Sequence, residues 1–599
     1  MFDPNYKMNL KKKSETIWKH LRNHDLTGLK AHFRYFFHRI RQKRNYQKWI
    51  TVNRLTDKKR EEIRRQIPEF SNRPLISVIL PVYNIGEKWL RLCIESVIKQ
   101  IYENWELCIA DDCSPSPHIK KVLEEYAAKD ERIKVVFRPE NGHISAASNS
   151  ALEIAGGEFT VLLDHDDELA EDALFYVVRE LNEFPETAMI YSDEDLIGEN
   201  GRRFDPKFKP DWSRDHFYSG NIVTHLSAYR TEILRKIGGF RIGLEGSQDY
   251  DLALRVIEQI SENQIRHIPR VLYHWRVIKG SVSLSGEEKP YAHERAREAI
   301  RQHLERIGKK AAVSPTVYNL HRVRYELSAK PPKVSLILRA DEDFDFTRVS
   351  INDFLENTSY PDFEAVLICP ENIIHLCNDL SLQMSNHSIK LITTDLENPA
   401  GDFNRAVSAG GGEIICFTEI NLRPAADDWL AELASFAMQD EIGAVGAKLY
   451  RTDETVLHGG LIIGTEELVG TAHSNLPRDK AGYISRAQLI NNFSAVSAAC
   501  LATRRDIFQK TGGFDWENLP DKFFDADYCL KLIEQNYRIV FNPYAELIQR
   551  DKNRQSSIET SATTDEKNYF ARKWQKFIEH DPAYNPNFSK QDGSFSIKI

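Results

Sequence analysis

The chain has 599 residues, 41% of them apolar and 28% charged, and a net charge of −8. That length is more than one hydrophobic core organises, so two to four domains are expected, and the composition excludes a disordered or fibrous chain. No apolar run is long enough to span a bilayer, no secretory leader is evident, and eight scattered cysteines make no disulfide framework, which points to reduced cytosolic thiols.

The charge is unevenly placed. Residues 1–66 hold 19 Lys and Arg against 6 Asp and Glu, a net +13, which leaves −21 for the remainder. This arm, residues 1–70, reads as helical, with Trp18, Leu21, Phe33, Phe36, Phe37 and Ile40 among the cations and Gly28 as a break. Two readings stand. One is a basic amphipathic helix on an anionic membrane surface; the other is a helix packed on the body with a solvated basic face. Nucleic acid is not expected, because no recognisable binding module accompanies the charge.

From Leu75 strands and helices alternate. Residues 76–80 are a predicted strand stopped at Pro81, and Leu90, Cys93, Ile94, Val97, Ile98 and Ile101 then repeat at helical spacing. A second strand, 105–110, ends at Asp111 and Asp112; a helix over 119–127, a strand over 133–137 and a small-residue helix over 144–155 follow. The next strand begins at Phe159 and ends in Asp164-His165-Asp166-Asp167, ahead of a predicted helix over 170–182. This order predicts a doubly wound, largely parallel sheet, which binds ligands beyond the carboxyl ends of its strands. Pro81-Val82-Tyr83-Asn84, Asp111-Asp112 and the 164–167 turn all follow strands, so the topology gathers them on one edge. Two carboxylates about 5 Å apart repel by about 3 kcal/mol at an effective dielectric near 20; a hard cation such as Mg²⁺ or Mn²⁺ reverses the sign.

Taken together, Val78-Ile79-Leu80-Pro81-Val82-Tyr83-Asn84, Ile109-Ala110-Asp111-Asp112-Cys113-Ser114, Asn141-Gly142 leading to Asn149, and Leu163-Asp164-His165-Asp166-Asp167 resemble the successive motifs of family 2 glycosyltransferases. Gly238-Gly239-Phe240 and the 246–252 segment resemble the family's acceptor-side motifs, so the likeness covers roughly residues 73–307 and extends to bacterial enzymes that assemble surface polysaccharides. It implies the GT-A fold, the Rossmann-like fold of nucleotide-diphospho-sugar transferases. It further implies that Pro81, Val82, Tyr83, Asp111 and Asp112 line the nucleotide pocket. Asp164 and Asp166, with His165 between them, would hold a divalent metal, Mn or Mg, and through it the donor diphosphate. Asp249 would be the general base of an inverting transfer. His274 becomes a candidate third metal ligand, with a core histidine beside Trp275 as the equal alternative; Arg276 would pair with a phosphate or a carboxylate, and Ser281 would contact the donor.

Two departures from the family pattern matter. Ser148 stands where the family commonly has Arg, so no phosphate contact is assigned there. Gln248-Asp249 replaces the usual Glu-Asp, which keeps the base and weakens any like-charge elevation of its pKa. Asp193-Glu194-Asp195, after a predicted strand over 188–192, reads as a solvated turn, with a place near the acceptor cleft as the alternative.

After a linker over 309–332 carrying one strand, the pattern restarts. Residues 333–338 echo 75–80, Tyr360-Pro361 echoes Tyr102 and its neighbour, Gly411-Gly412-Glu413 echoes Gly156-Gly157-Glu158, and Gly512-Gly513-Phe514 echoes Gly238-Gly239-Phe240. Offsets of about 255 to 275 residues mark a duplicated domain and not a short repeat. The echo fails at the acids: Cys369-Pro370 replaces Asp111-Asp112, and Glu419-Ile420-Asn421 replaces Asp164-His165-Asp166. Asp525 survives opposite Asp249, while His458, His473 and Arg478 are candidates to line a glycan groove or to serve the core.

The expected fold class is therefore α/β, two tandem GT-A domains with a basic helical N-terminal arm. The expected organisation is an arm over 1–70, a catalytic domain over 71–308, a linker over 309–332, a degenerate second domain over 333–551 and a C-terminal helix and tail over 552–599. The expected function is transfer of a sugar from a nucleotide-sugar donor to a glycan or lipid-linked glycan acceptor. The expected location is the cytoplasm, peripheral on the inner face of the plasma membrane. The alternative is a glycan-binding or assembly scaffold in which both transferase-like domains are inert.

Overall fold

The computed structural model describes residues 26–278, 290–384, 388–394, 397–554 and 561–599. Trp18, Leu21 and Ser281 lie outside the described residues. The chain falls into two compact units. The first is Lys43–Val323 with Tyr584–Asn587 and Ile597–Ile599; the second is Arg324–Ala583 with Phe588–Ser596 and the residues before Lys43.

The first unit is built on a sheet of nine strands: β1 (Ile76–Val82), β2 (Trp105–Asp111), β3 (Ile133–Phe137), β4 (Phe159–Leu162), β5 (Glu168–Leu169), β6 (Met189–Gly198), β7 (Arg203–Lys207), β8 (Ser227–Arg230) and β9 (Ile265–Val277). Their order is β3-β2-β1-β4-β8-β6-β9-β5, with β7 beside β6. Strands β1 to β4 pair in parallel, but β8 runs antiparallel to both neighbours and β5 antiparallel to β9. Strands β6 and β9 pair in parallel as well, so the sheet is parallel-rich, as the alternation predicts, with β5, β7 and β8 the strands that oppose the rest; an apolar run gives a strand's burial but not its direction. Every residue of β1 and β2 is buried, which is why both read as unbroken apolar runs. The helices Glu87–Ile98 and Pro117–Lys129 cover the sheet through Leu90, Cys93, Ile94, Val97, Ile119, Val122 and Leu123.

A buried polar brace fixes the start of β4. Ser77 Oγ donates to Glu106 Oε1 at 2.6 Å, and the Gly157 amide donates to Ser77 Oγ at 2.8 Å. A Cβ on Gly157 would sit 2.6 Å from both the Leu75 carbonyl oxygen and Ser77 Oγ, so only glycine fits there.

Asp193, Glu194 and Asp195 are not in a solvated turn. They lie inside β6, which continues to Gly198, and all three are fully buried. Burial of three successive acids is sustained by partners brought from far along the chain. Asp193 accepts from the Lys209 amide at 2.8 Å and faces His267 Nε2 at 3.0 Å; Glu194 pairs with Lys207 and Lys209; Asp195 pairs with Arg203 and His274. The side chains of Asn585 and Asn587 add amide donors to Asp193.

A two-stranded sheet, β10 (Ala311–Pro315) with β11 (His321–Tyr325), stands where a single strand is expected. The second unit then contains β12 (Val334–Arg339), β13 (Phe363–Pro370), β14 (Ile389–Thr394), β15 (Ile414–Glu419), β16 (Leu422–Pro424), β17 (Ile442–Tyr450), β18 (Val456–His458), β19 (Leu461–Thr465), β20 (Leu468–Thr471), β21 (Asn491–Asn492), β22 (Cys500–Arg504) and β23 (Arg538–Gln549). Its main sheet runs β14-β13-β12-β15-β22-β17-β23-β16. Strand for strand, and in each pairing direction, this repeats the order of the first sheet. The brace repeats too. Ser335 Oγ donates to Glu364 Oε1 at 2.9 Å, the Gly412 amide donates to Ser335 Oγ at 2.8 Å, and a Cβ on Gly412 would meet the Ser335 amide nitrogen at 2.3 Å. Tyr102 and Tyr360 each donate a hydroxyl to a proline carbonyl at 2.7 Å, that of Pro74 and of Pro332. The fold is two tandem α/β domains of the GT-A type.

The helix Thr564–Lys573 starts at a capping box of Thr563 and Glu566, and Phe570, Trp574 and Phe577 enter the second unit's core. In the arm, the helices Leu26–Asn53 and Asp57–Gln66 are present, and Gly28 lies within the first of them, where a break is expected. Ile63 enters the first unit's core, and Tyr46 stacks on Trp49 with ring centroids 5.5 Å apart.

Candidate active site

The carboxyl ends of β1, β2 and β4 meet at one edge of the first sheet, with Val82 opposite Asp111 and Ile79 opposite Leu162. Beyond β4 the chain turns sharply, the Asp167 amide donating to the Asp164 carbonyl at 3.1 Å. This turn drives Asp167 inward, where it is fully buried. The Tyr273 hydroxyl donates to Asp167 Oδ2 at 2.6 Å, and the Arg276 amide donates to Oδ1 at 2.7 Å. Burial, together with the adjacent charges of Asp166 and Asp164, pushes the Asp167 carboxyl well above the usual range.

Ligand atoms of Asp164, Asp167 and His225 lie within 4.8 Å of one another. His225 precedes β8 and stacks on Tyr273 with centroids 4.3 Å apart, nearly parallel. Burial, only partly offset by Glu194, lowers its pKa to about 4, so the imidazole is neutral at pH 7 with a lone pair to offer. Behind it, Lys209 Nζ donates to the His225 carbonyl at 2.6 Å and to Glu194 Oε2 at 3.1 Å. Two carboxylates and one neutral imidazole are the hard and borderline donors that suit Mg²⁺ or Mn²⁺. A cation there would also relieve the crowding of negative charge at Asp167, so the donor set fits a divalent metal.

Asp249 sits in the first turn of the helix Gln248–Ile257. Asn221 Nδ2 donates to its Oδ2 at 2.9 Å. Burial raises its pKa to about 6, against the pull of the Tyr250 amide, its own amide and Asn221. Asp164, His225 and Asp249 line one cavity of about 40 Å³, with Pro81 and Ser148 also in its wall. That is room for an ion and a little water, not for a nucleotide. A cavity of about 610 Å³ lies elsewhere in this unit, lined by His274, Asp172 and Arg270 among others, and touches none of Asp164, Asp167 or Asp249.

The remaining sequence candidates divide. Pro81 offers its carbonyl to His165 Nδ1 at 3.2 Å, and the Val82 carbonyl accepts from the Asp112 amide at 2.9 Å. Tyr83 is exposed beside them, and both oxygens of Asp111 lie 3.3 Å from the Ser114 amide. Asp112 is committed elsewhere, its Oδ1 accepting from Arg138 Nε and the Gly142 amide at 2.9 Å each. Asp166 and His274 are not in the three-residue cluster. His274 Nδ1 lies 2.6 Å from Asp195 Oδ1, and Asp195 also accepts from Arg203 and, in a short contact, from Tyr46. Burial alone would raise the Asp195 carboxyl, but His274 and Arg203 hold it below the ordinary value. Arg276 stays within the turn, donating to the Asp166 carbonyl at 2.7 Å and pairing closely with Glu168. Asn149 clamps the loop at Phe240 through paired 2.8 Å hydrogen bonds, and Asn404 does the same at Phe514 at 2.8 and 3.0 Å.

Asp167 and His225 are the members of this cluster that the sequence does not mark as ligands. Asp167 is visible as the last acid of the turn, but its rotation inward depends on Tyr273. His225 has no motif around it; it arrives because β8 inserts between β4 and β6.

In the second unit the equivalent edge is filled. Arg339, opposite Glu419 in the strand register, lies 3.3 Å from Asp402, which also pairs with Arg405 at 2.5 Å. Asn421 Nδ2 donates to the carbonyls of Asp551 and Arg554 at 3.1 and 3.0 Å, so the chain after β23 lies across the turn. His458 and His473 are buried, and Arg478 pairs with Glu546 and Glu454, so these three do not form an open groove.

Residues 77–238 match the family model "Glycosyl transferase family 2". The chain is 39% identical over 543 residues to the uncharacterized protein y4gI of Sinorhizobium fredii, covering 89% of this chain and 59% of that protein. It is 32% identical over 534 residues to the O-antigen biosynthesis protein RfbC of Myxococcus xanthus, covering 87% of this chain and 41% of the relative. The chain therefore spans about half the length of these two curated relatives. It is also 31% identical over 211 residues to the putative colanic acid biosynthesis glycosyl transferase WcaA of Escherichia coli, covering 33% of this chain and 74% of that protein. Identity at that level, sustained across three-quarters of a smaller relative, means that the chain belongs to glycosyl transferase family 2.

Proposed function

We propose that the first unit is an inverting, metal-dependent glycosyltransferase. It moves a sugar from a nucleotide-diphosphate donor to a hydroxyl of a growing, lipid-linked bacterial surface polysaccharide. The observation that carries this reading is the meeting of Asp164, His225 and Asp249 around one cavity, with Asp167 beneath it. The names of the O-antigen and colanic acid relatives support the substrate class.

In this reading Asp164, Asp167 and His225 hold Mg²⁺ or Mn²⁺, with Asp166 as the further acid that the family resemblance implies. When bound, the cation offsets the negative charge that grows on the departing nucleoside diphosphate. The exposed face of Tyr83 and the Asp111 carboxylate receive the nucleotide, and Asp112 holds the 141–142 loop in place through Gly142. The Asp249 carboxylate takes the acceptor's hydroxyl proton as that oxygen attacks the anomeric carbon. A pKa of about 6 leaves it ionised at neutral pH while keeping it a stronger base than an ordinary aspartate. Among its described residues the second unit keeps none of the turn aspartates, so in this reading it binds acceptor glycan or serves as a scaffold. A lipid-linked acceptor places the chain in the cytoplasm at the inner face of the membrane.

The test is a panel of nucleotide sugars with Mn²⁺ and a glycan acceptor, with the product anomer read by NMR. Inverted product that disappears in Asp164→Asn and Asp249→Asn is expected. Retained configuration, or full turnover in both variants, rules the reading out.

A further inference from the structure

The helix Leu26–Asn53 carries seven Lys and Arg and not one acidic residue. Within the second unit it has two different faces. On one, Ala31 is buried, Tyr35 packs against Tyr450, Val456, Leu476 and Ala487, and His32 Nε2 lies 3.0 Å from Asp479 Oδ1. These contacts fix the rotation of the helix about its axis. The opposite face then presents Phe33, Phe36, Phe37 and Ile40, which are 48, 43, 63 and 43% exposed. Their spacing is i, i+3, i+4 and i+7, so they form a single stripe. Lys30, Arg34 and Arg41 border the stripe on one side and Arg39 on the other, all exposed.

An amphipathic helix normally buries its apolar stripe against protein; this one is anchored by the other face and leaves Phe33, Phe37 and Ile40 outward. The stripe calls for an apolar medium and its border calls for anions. A nucleic-acid duplex, its bases stacked on one another, supplies the anions alone, and a second copy of the chain would bring the same cations to the contact. The headgroup boundary of an anionic bilayer supplies both. We propose that this face docks on anionic lipid, with Phe33, Phe37 and Ile40 at the acyl boundary and Lys30, Arg34, Arg39 and Arg41 among the headgroups. The inference rests on the membrane placement above and not on the sugar chemistry.

The test is cosedimentation of the full chain with vesicles of phosphatidylcholine alone and of phosphatidylcholine mixed with phosphatidylglycerol, with donor turnover and thermal melting followed on the same samples. Binding to the mixed vesicles only, weakened by salt, is expected. Phe33→Ser with Phe37→Ser should lower the partition by about tenfold or more, and Arg34→Glu with Arg41→Glu by about fivefold for each cation removed, with melting and turnover unchanged. Equal binding to neutral vesicles, or undiminished binding by both double variants, overturns the inference. So does a chain that ignores vesicles and either binds duplex DNA or forms a dimer that Phe33→Ser with Phe37→Ser disperses. Vesicle binding without donor turnover would support this inference and count against the transferase reading alone.

Discussion

Tyr273 holds Asp167 from beneath: its hydroxyl donates to the carboxylate at 2.6 Å and accepts the Asp164 amide at 3.3 Å. One phenol thereby fixes both ends of the acidic turn. Tyr273→Phe leaves a buried carboxylate with a single amide donor. We expect a loss of about 1–3 kcal/mol in stability by thermal melting and a fall in Mn²⁺ affinity of about tenfold or more by electron paramagnetic resonance titration.

The two histidines near the edge should separate cleanly. His225→Ala removes a member of the cluster, so Mn²⁺ affinity should drop by roughly 10–100-fold with a modest change in melting temperature. His274→Ala leaves Asp195 buried with one partner fewer, so stability should fall by about 1–3 kcal/mol while metal affinity holds. The opposite pattern would return the metal to His274.

Asp249 should set an acid limb in the pH profile. Its folded pKa of about 6 lies above the ordinary 3.8, so kcat/KM should fall tenfold per pH unit below about 6 and level off above. The stability sign is the reverse of the usual carboxylate. Between those two values the folded chain holds more proton than the unfolded one, so stability declines as pH rises, reaching a cost of at most about 3 kcal/mol above pH 6. Asp249→Asn should therefore abolish transfer and raise the melting temperature at pH 7.5.

Calorimetry with a nucleoside diphosphate and Mn²⁺ should find one site per chain. Asp164→Asn should remove it entirely, whereas Asn421→Asp should create no second one, because Arg339, Asp402 and the chain after β23 fill that edge. A stoichiometry of two would show that the second unit still binds donor.

Gly157→Ala and Gly412→Ala should be matched lesions, each forcing a methyl into backbone and serine atoms under 3 Å away. Each should cost about 2–4 kcal/mol, read as a lowered melting temperature.

Much of this was legible in residue order. The strands β1 to β4 and their covering helices follow from burial on both faces and from 3.6-residue spacing, and the duplication follows from echoes such as Gly156-Gly157 and Gly411-Gly412. Asp164 is legible as an acid at a strand end, and Asp249 through the resemblance of the 246–252 segment to the family's acceptor-side motif. The antiparallel insertion of β8 was not, because direction leaves no periodic trace, and His225 went with it. The buried run Asp193-Glu194-Asp195 looked like a solvated turn because its cations, Lys207, Lys209 and Arg203, stand outside any local window. For the same reason the sequence left His274 open between a ligand and a core histidine: its partner Asp195 is far away in sequence and adjacent only across β6 and β9.

The amides that Asn585 and Asn587 bring to Asp193 come from 392 and 394 positions away. On a ribosome the first unit thus emerges long before its own strand β6 can be fully satisfied, and the whole second unit must be made in between. A nascent chain stalled after Val323 would carry a buried carboxylate short of these donors, and we expect it to be held open, sensitive to protease, until Asn585 and Asn587 have been made. Order of synthesis, as well as sequence, would then decide when the first unit matures.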